Sequence, residues 1–337
     1  KLRGFLKMPS GAQKKEFEPA WWLPGGHIQT LYRKFSPIET VRQVRQRIEL
    51  KDGDFIDLDW AENIAVVDNT TDMIVVILHG LCGCAGSSYV LSLQRLLSEN
   101  GIPSVAMNFR GCSGEVNRKA QAYHSGVSED VEEVFSSLSH LHPEKNFAFV
   151  GYSLGGNVLL KWLGECSGNL RVKKAVAIST PFSLSYCSQA MLRGLGRLYG
   201  RYFVKKLLAD FSTKKFHFQQ IVNRDQLSKI QQLGELSDIS SIWEFDDKIT
   251  APLHGFKDAE DYYNKCSSIC FLDSIKTNTL LIQSQNDPLV PLSAIPLRGK
   301  LVPHINLQLS KKGGHVGFIS GRRDHWLERR ILQFIQV

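Results

Sequence analysis

The chain has 337 residues, of which 43% are hydrophobic, and a formal net charge of +8 at neutral pH. These values predict a globular protein with a large core, either one big domain or a domain with an insertion. Lys and Arg are scattered, and no basic stripe alternates with aromatic residues, which argues against nucleic-acid binding. Seven cysteines without a CxxC pair indicate neither a disulfide framework nor a four-ligand zinc site.

Membrane insertion is not expected from the hydrophobic pattern. No stretch approaches the roughly 20 consecutive apolar residues that a membrane span needs, and the opening lacks the apolar run of a signal peptide. Together with the cysteine usage, this pattern predicts a cytoplasmic protein.

The first distinctive segment is "EFEPAWWLPGGHIQTLYRKF" at residues 16–35, which precedes any recognisable domain. Three interpretations compete: a membrane-surface anchor, a segment that supplies a catalytic histidine, or an arm that packs on the core. Residues 1–45 are assigned to this N-terminal arm.

The predicted core comprises residues 46–181 and 268–337. At residues 46–60, apolar and polar residues alternate around Asp52 and Gly53, which predicts an antiparallel hairpin at a sheet edge. Short apolar runs, each ending in a turn, then predict parallel strands covered by helices on both faces. These runs lie at residues 73–80, 104–111, 147–156, 173–180, 279–287 and 305–315.

The loop after the first of these runs, "GLCGCAGSS", is rich in glycine. Glycines allow the backbone to turn inward, so we predict that an N–H at Leu81 stabilises an oxyanion. Cys82 and Cys84 in the same loop are interpreted as small loop residues rather than as a redox or metal site, because no histidine cluster accompanies them.

The strongest catalytic signal is "GYSLGG" at residues 151–156, between an apolar strand and the helical pattern "NVLLKWLGE". This context is typical of a nucleophile elbow, in which Ser153 is held over the sheet on a sharp turn. The residue after the nucleophile supplies one oxyanion donor, and this predicts the backbone N–H of Leu154.

Residues 182–267 interrupt the alternation of strands and helices and are predicted to form a helical cap. Over an α/β sheet, such an insertion covers the carboxyl ends of the strands, where ligands bind. Within it, basic residues recur every four positions while apolar residues fall on another side of the helix. We favour a cap helix with a solvated charged face over a membrane-docking surface. The basic residues are Arg193, Arg197, Arg201 and Lys205.

A serine nucleophile needs a base, and the base needs a carboxylate that fixes its tautomer. In this architecture the chain order is serine, acid, histidine. Asp287 follows one predicted strand in "QSQNDPLVP", and His315 follows the next in "KKGGHVGF". The ordered set therefore predicts Ser153, Asp287 and His315 as the catalytic triad.

Beyond these motifs, the chain resembles the YheT-like α/β-hydrolases (AB hydrolase-4 family) over nearly its whole length. The resemblance rests on "PAWWLPGGHIQTLY", "LHGLCGCAGSSYV", "NFRGCSGEVNRKAQAYHSG", "GYSLGGN", "ITAPLHGFKDAEDYYNKCSS", "NDPLVP" and "GGHVGF". It implies a mostly parallel eight-stranded sheet flanked by helices, with a helical cap, and it carries the family triad over to Ser153, Asp287 and His315. Relatives often have Asp-Asp-Pro where this chain has Asn286-Asp287-Pro288.

The resemblance also implies that "WWLPGGHIQTLY" is an arm lying against the hydrolase body. His27 is then not the base, Trp21 and Trp22 are interpreted as packing anchors rather than membrane anchors, and His124 is interpreted as a structural residue.

The predicted function is hydrolysis of carboxylic esters of medium-chain acyl groups or small acylglycerols, without a metal or organic cofactor. The alternatives are acyl transfer to an alcohol on the same triad and a non-catalytic binding module on a hydrolase scaffold. The expected partner is a small-molecule ester or lipid substrate. Nucleic acid is not an expected partner, and peripheral membrane contact is the less favoured alternative.

Overall fold

The computed structural model describes residues 16–35, 40–62, 71–166, 168, 171–296, 299, 301–321 and 325–337. Residues 1–15 and 36–39 of the predicted arm lie outside the described residues. No helix within the described ranges is both long enough and apolar enough to cross a bilayer.

One eight-stranded sheet forms the centre of the molecule. Its strands are β1 (Gln43–Glu49), β2 (Phe55–Ala61), β3 (Met73–Leu78), β4 (Ser104–Asn108), β5 (Asn146–Tyr152), β6 (Val172–Ile178), β7 (Asn278–Ser284) and β8 (Ile305–Ser310). The spatial order is β1-β2-β4-β3-β5-β6-β7-β8. Only β2 runs opposite to the other strands of the sheet, so the predicted edge hairpin and mostly parallel sheet are confirmed.

Helices pack on both faces of the sheet and form the cap over its carboxyl ends. They are α1 (Gly26–Phe35), α2 (Ser88–Glu99), α3 (Ser128–Leu141), α4 (Leu154–Glu165), α5 (Leu184–Ala190), α6 (Gly196–Gln220), α7 (Arg224–Gln231), α8 (Ile242–Phe245), α9 (Ala251–Leu253), α10 (Ala259–Cys266) and α11 (Trp326–Gln336). A π-helical turn, Asp246–Thr250, joins α8 to α9.

The core consists of two apolar layers that the sheet separates. Successive strand residues point to opposite faces, so Val76 of β3 packs with α3 and α4, whereas Val75 packs with α2 and α11. Because strands of this kind are buried on both sides, they read as continuous apolar runs in the sequence. This burial explains why the strands were predictable from local pattern.

The segment between β6 and β7 contains helices α5 to α10 and, within the described residues, no strand. Side chains from this segment lie over the carboxyl ends of the central strands and line a cavity that includes Ser153. The exact division into arm (1–45), core (46–181 and 268–337) and cap (182–267) stays a prediction.

The basic cap helix differs from its expected form. It begins at Gly196, so Arg193 precedes it. Leu195 and Leu198 are 59% and 62% exposed, and Tyr202 is 44% exposed. The helix therefore presents apolar as well as basic residues to solvent, and a charged face alone does not describe it.

Candidate active site

Ser153 occupies a sharp turn between β5 and α4. Its φ of 52° lies in the left-handed region, which is strained for a residue with a side chain and is typical of functional positions. Gly155, two residues later, packs against the end of the neighbouring strand β3 so closely that a Cβ there would lie 2.5 Å from the carbonyl oxygen of His79. The glycine is thus required for the close approach of helix and strand.

The three residues predicted as a triad lie in one hydrogen-bonded chain. The Oγ of Ser153 is 2.9 Å from Nε2 of His315. The other ring nitrogen, Nδ1, is 2.9 Å from Oδ2 of Asp287 and 3.1 Å from its Oδ1. With Asp287 ionised, Nδ1 carries the proton that is donated to the carboxylate, which leaves Nε2 free to accept the serine proton.

Backbone donors fix the carboxylate of Asp287, whose side chain is fully buried. Its Oδ1 accepts hydrogen bonds from the backbone N–H groups of Leu289 at 2.8 Å and Val290 at 3.1 Å. The neighbouring Asn286 connects the loops that carry Asp287 and His315, because its Oδ1 accepts a hydrogen bond from the N–H of Gly314. An amide at this position therefore serves a structural contact next to Asp287.

The N-terminal arm supports the histidine loop. Oγ1 of Thr30 accepts a hydrogen bond from the N–H of His315 at 2.8 Å, and Oε1 of Gln29 accepts one from the N–H of Ile319 at 2.8 Å. Gly26 begins α1 at a point where a Cβ would overlap the carbonyl oxygen of Asn286. The Gly-Gly-His-Ile-Gln-Thr run thus packs α1 directly on the loops that carry Asp287 and His315.

The two tryptophans of the arm have different environments. Nε1 of Trp22 donates a hydrogen bond to the carbonyl of Gly321, and the ring meets Tyr32 edge-on at 5.0 Å. Trp21 is 83% exposed. The interpretation as a packing anchor therefore holds for Trp22 and is wrong for Trp21.

His27 and His124 lie away from the hydrogen-bonded chain of Ser153, His315 and Asp287. His27 stacks on Tyr199 of the cap, with its Nδ1 3.1 Å from the tyrosine hydroxyl. His124 is enclosed by His254, Phe256 and Tyr262, and burial holds its pKa well below the usual value. Within the described residues, neither ring contacts Ser153.

Leu81 and Leu154 both line the cavity that contains Ser153 and His315. Leu154 is the first residue of α4, so its N–H is one of the helix-terminal donors without an intrahelical acceptor. For Leu81, no described residue accepts a hydrogen bond from the backbone N–H. Both predicted donors are therefore available to a ligand.

The loop after β3 that carries Leu81 is fixed from several directions. His79 is buried, with Nδ1 donating to the carbonyl of Gly80 and Nε2 accepting from the N–H of Phe109, and burial lowers its pKa to about 4. Cys82 has a φ of 54°, its N–H donates to the hydroxyl of Tyr123, and its carbonyl accepts from Nζ of Lys206 at 2.6 Å. The loop conformation thus depends partly on the cap.

The Cys82 thiol in this loop is not activated. Burial raises the pKa of the Cys82 thiol to about 11. Since the thiolate is the reactive form of cysteine, this environment disfavours nucleophilic or redox chemistry at Cys82.

A cavity of about 70 Å³ opens beside the Ser153 hydroxyl. Most of its wall is apolar and comes from both the core and the cap. Its lining residues include Leu184, Met191, Phe203, Leu289 and Val290. An apolar wall with a few polar groups near a nucleophile is typical of a site that binds an apolar small molecule.

Four side chains that hold the loops of the site in place were not predicted from the sequence. They are Gln29, Thr30, Asn286 and Lys206. Each acts through a contact that is distant in sequence, such as the 285 positions between Thr30 and His315. The available signal was the arm motif "GGHIQT", which has more glycine and polar residues than a simple packing arm needs.

Comparisons with known proteins concern the fold and the family of the chain. The family model described as "alpha/beta hydrolase fold" matches residues 74–322. An Escherichia coli protein named "Putative esterase YheT" is 39% identical over 324 residues, covering 94% of this chain and 92% of that protein. Human "Phospholipase ABHD3" is 31% identical over 342 residues, covering 99% of this chain and 81% of that protein.

A solved structure of the Pyrococcus furiosus esterase Pf2001 has the same fold, with a TM-score of 0.57 at 17% identity, over 88% of this chain and 91% of that one. At this identity the structural likeness concerns the fold alone. The match to the family model and the identity with the sequence relatives show the family. The chain belongs to the α/β-hydrolase family and, within it, to the YheT-like hydrolases.

Proposed function

We propose that this protein is a serine esterase that cleaves carboxylic esters of medium-chain acyl groups or small acylglycerols. The observation that carries the proposal is the hydrogen-bonded chain from Asp287 through His315 to Ser153, which ends in an apolar cavity. A binding module has no need for a polar chain of this kind, because burying it without a catalytic use costs free energy. Two relatives are named as a putative esterase and as a phospholipase, and these names support ester hydrolysis as the reaction class.

In the proposed reaction, Nε2 of His315 takes the proton of the Ser153 hydroxyl while Oγ attacks the ester carbonyl carbon. The carbonyl oxygen becomes an oxyanion that accepts hydrogen bonds from the N–H groups of Leu81 and Leu154. The C–O bond to the alcohol then breaks, and His315 returns its proton to the departing alkoxide. The product is an acyl ester of Ser153.

A second displacement releases the acyl group. His315 takes a proton from water, the hydroxide oxygen attacks the acyl carbon, and the Ser153 oxygen leaves with the proton from His315. The net products are one carboxylic acid and one alcohol, with the enzyme restored. If an alcohol replaces water, the same step forms a new ester, so added ethanol measures the partition between hydrolysis and acyl transfer.

The acyl-chain dependence tests the substrate class. Each buried CH₂ adds roughly 0.8 kcal/mol of affinity, which corresponds to about a fourfold increase in kcat/KM. We expect kcat/KM of ethyl esters to rise from two acyl carbons to an optimum at medium length and then to fall. Because the cavity holds only about 70 Å³, flexible side chains such as Met191 must move to admit the longer chains.

The measurement is initial-rate kinetics on ethyl esters with 2 to 16 acyl carbons, with Ser153→Ala as the background. An acyl-length profile without an optimum would contradict the bounded pocket. Absence of hydrolysis at every length would contradict the esterase assignment.

A further inference from the structure

Three polar side chains interrupt the apolar wall of the cavity on its cap side: Asp246, Ser188 and Tyr263. Asp246 opens the π-helical turn that joins α8 to α9. Its Oδ1 accepts a hydrogen bond from the hydroxyl of Thr250 at 2.8 Å, and its Oδ2 accepts one from the hydroxyl of Tyr263 at 2.7 Å. Single π-helical turns are rare and occur frequently at functional sites.

The carboxylate of Asp246 retains hydrogen-bonding capacity. A carboxylate offers about four acceptor sites, and the two hydroxyl groups occupy two of them. No cation among the described residues forms an ion pair with it, and burial raises its pKa to about 6 although both hydroxyl donors lower it. Asp246 is thus a hydrogen-bond acceptor that lies half-buried in the cavity wall without a cationic partner among the described residues.

Ser188, on α5, provides a complementary group. It is only 3% exposed, and its Oγ has no hydrogen bond of normal geometry to any described residue, although it lies near the hydroxyl of Tyr263. A buried hydroxyl without a well-formed hydrogen bond costs free energy, which a bound ligand would recover. The cavity wall therefore holds a donor that lacks a well-formed hydrogen bond, beside an acceptor with spare capacity.

We propose that Asp246 and Ser188 form a subsite that binds a free hydroxyl group of the ester substrate. Asp246 accepts the hydrogen bond of the hydroxyl, and Ser188 donates to its oxygen. A hydroxyl fits both groups because it is a donor and an acceptor, whereas an ammonium group has no acceptor for Ser188. The inference rests on the proposed function, because the same cavity contains Ser153.

Two pairs of matched esters test the subsite and distinguish where the hydroxyl lies. Glyceryl monodecanoate and propyl decanoate differ only in the hydroxyls of the alcohol, whereas ethyl 10-hydroxydecanoate and ethyl decanoate differ only in a hydroxyl on the acyl chain. We expect wild type to favour the hydroxylated member of one pair by about tenfold or more in kcat/KM, because the analogue leaves polar groups unpaired.

The variants Asp246→Asn and Ser188→Ala should bring that ratio close to one. Asp247→Asn is the matched control, since Asp247 accepts from the N–H of Ala259 and does not line the cavity. It should keep the wild-type ratio. Ratios near one for both pairs in an active wild type would overturn the subsite and leave the esterase proposal intact, whereas no hydrolysis of any of the four esters would overturn both.

An independent observation concerns the outer surface. Six large apolar side chains project into solvent at three- and four-residue spacing, and we call them the apolar stripe. They are Ile28 (47% exposed), Leu31 (43%), Phe35 (75%), Leu195 (59%), Leu198 (62%) and Tyr202 (44%). Three lie on α1, two on the first turns of α6, and one, Leu195, directly precedes α6. The two helices are neighbours, because Nζ of Lys34 lies 3.6 Å from the ring centroid of Tyr202.

Exposed basic residues surround the apolar stripe, and none of them forms an ion pair with a described residue. They are Lys34, Arg193, Arg197, Arg201 and Lys205. The chain segment that carries Leu195 and Tyr202 also supplies Met191 and Phe203 to the cavity wall. The apolar stripe therefore lies next to the candidate active site. A two-fold contact between copies would bring these cations face to face, whereas an anionic lipid surface complements them.

We infer that the apolar stripe and its basic rim dock on anionic lipid bilayers. This inference replaces the interpretation of the basic cap helix as only a solvated face, because that interpretation left the exposed apolar residues without a partner. Apolar insertion and charge attraction are the two contributions that hold amphipathic helices at membrane interfaces.

Co-sedimentation with vesicles of phosphatidylcholine alone, or with 30% phosphatidylglycerol, tests the inference. Wild type should bind the anionic vesicles and bind less at high salt. Arg197→Glu/Arg201→Glu should weaken binding about 20-fold or more, and Leu195→Ser/Leu198→Ser should weaken it as well. The charge-matched control Lys173→Glu/Lys276→Glu alters exposed lysines at the amino ends of β6 and β7, and it should bind like wild type.

Absence of binding to anionic vesicles, or equal binding by the Arg197→Glu/Arg201→Glu variant, would overturn the inference. A dimer in sedimentation velocity that Leu195→Ser/Leu198→Ser dissociates would also overturn it and would identify the stripe as an interface between copies.

Discussion

Substitution of Ser153 by alanine is expected to lower kcat for ester hydrolysis by about 10⁵-fold or more, with little change in the melting temperature. The proposed mechanism routes both chemical steps through the Ser153 oxygen, so its loss leaves only the contributions of binding and of the oxyanion donors. Steady-state kinetics on the optimal ethyl ester provide the measurement.

His315→Ala should cause a loss of similar size, since the two residues act as a unit and their effects are not additive. The matched control is His27→Ala, which removes a ring that stacks on Tyr199 and does not contact Ser153. This variant should retain turnover of the wild-type order of magnitude. A folded His27→Ala protein that loses turnover as severely as His315→Ala would contradict the assignment of the base.

Substitution of Asp287 by asparagine is expected to lower kcat by about 10⁴-fold at nearly unchanged KM. The amide has almost the same shape, but its NH₂ group can donate to Nδ1 of His315. The ring then carries its proton on Nε2 and has no free electron pair toward the Ser153 hydroxyl. Kinetics of Asp287→Asn, with folding checked by thermal denaturation, test this expectation.

The neighbouring substitution Asn286→Asp is the matched control, because it exchanges an amide and a carboxylate one residue away. Its Oδ1 can still accept the hydrogen bond from the N–H of Gly314. We expect only a modest effect on turnover. Wild-type turnover in Asp287→Asn would show that Asp287 does not determine the tautomer of His315.

The parts of the fold that were predictable follow from local pattern. Strands β3 to β7 are largely buried on both faces, so each appears as an apolar run that ends in a turn, whereas the edge strand β8 is only partly buried. The elbow at Ser153 was recognisable because its glycines and the flanking strand and helix fall within a few residues of each other. Chain order then predicted Asp287 and His315, which follow successive strands, as partners of Ser153.

The supporting contacts were not predictable, because they depend on tertiary packing. Thr30 contacts the N–H of His315, and Lys206 contacts the carbonyl of Cys82 from a different part of the chain. Neither periodicity nor residue type signals such a pairing. The exposed Leu195 and Leu198 illustrate the same limit, since a helical pattern shows which residues share a side and not which side faces solvent.

In the proposed mechanism, Ser153 is the nucleophile that His315 activates, and it forms the acyl-enzyme. The most direct test is reaction of the folded protein with a fluorophosphonate probe, followed by peptide mass spectrometry, because the probe phosphonylates activated serines and the adduct mass identifies the residue. We expect stoichiometric labelling of Ser153 in wild type and greatly reduced labelling in His315→Ala and in unfolded protein. Absence of an adduct on folded wild type, or an adduct on another serine in its place, would contradict the assignment of Ser153 as the nucleophile.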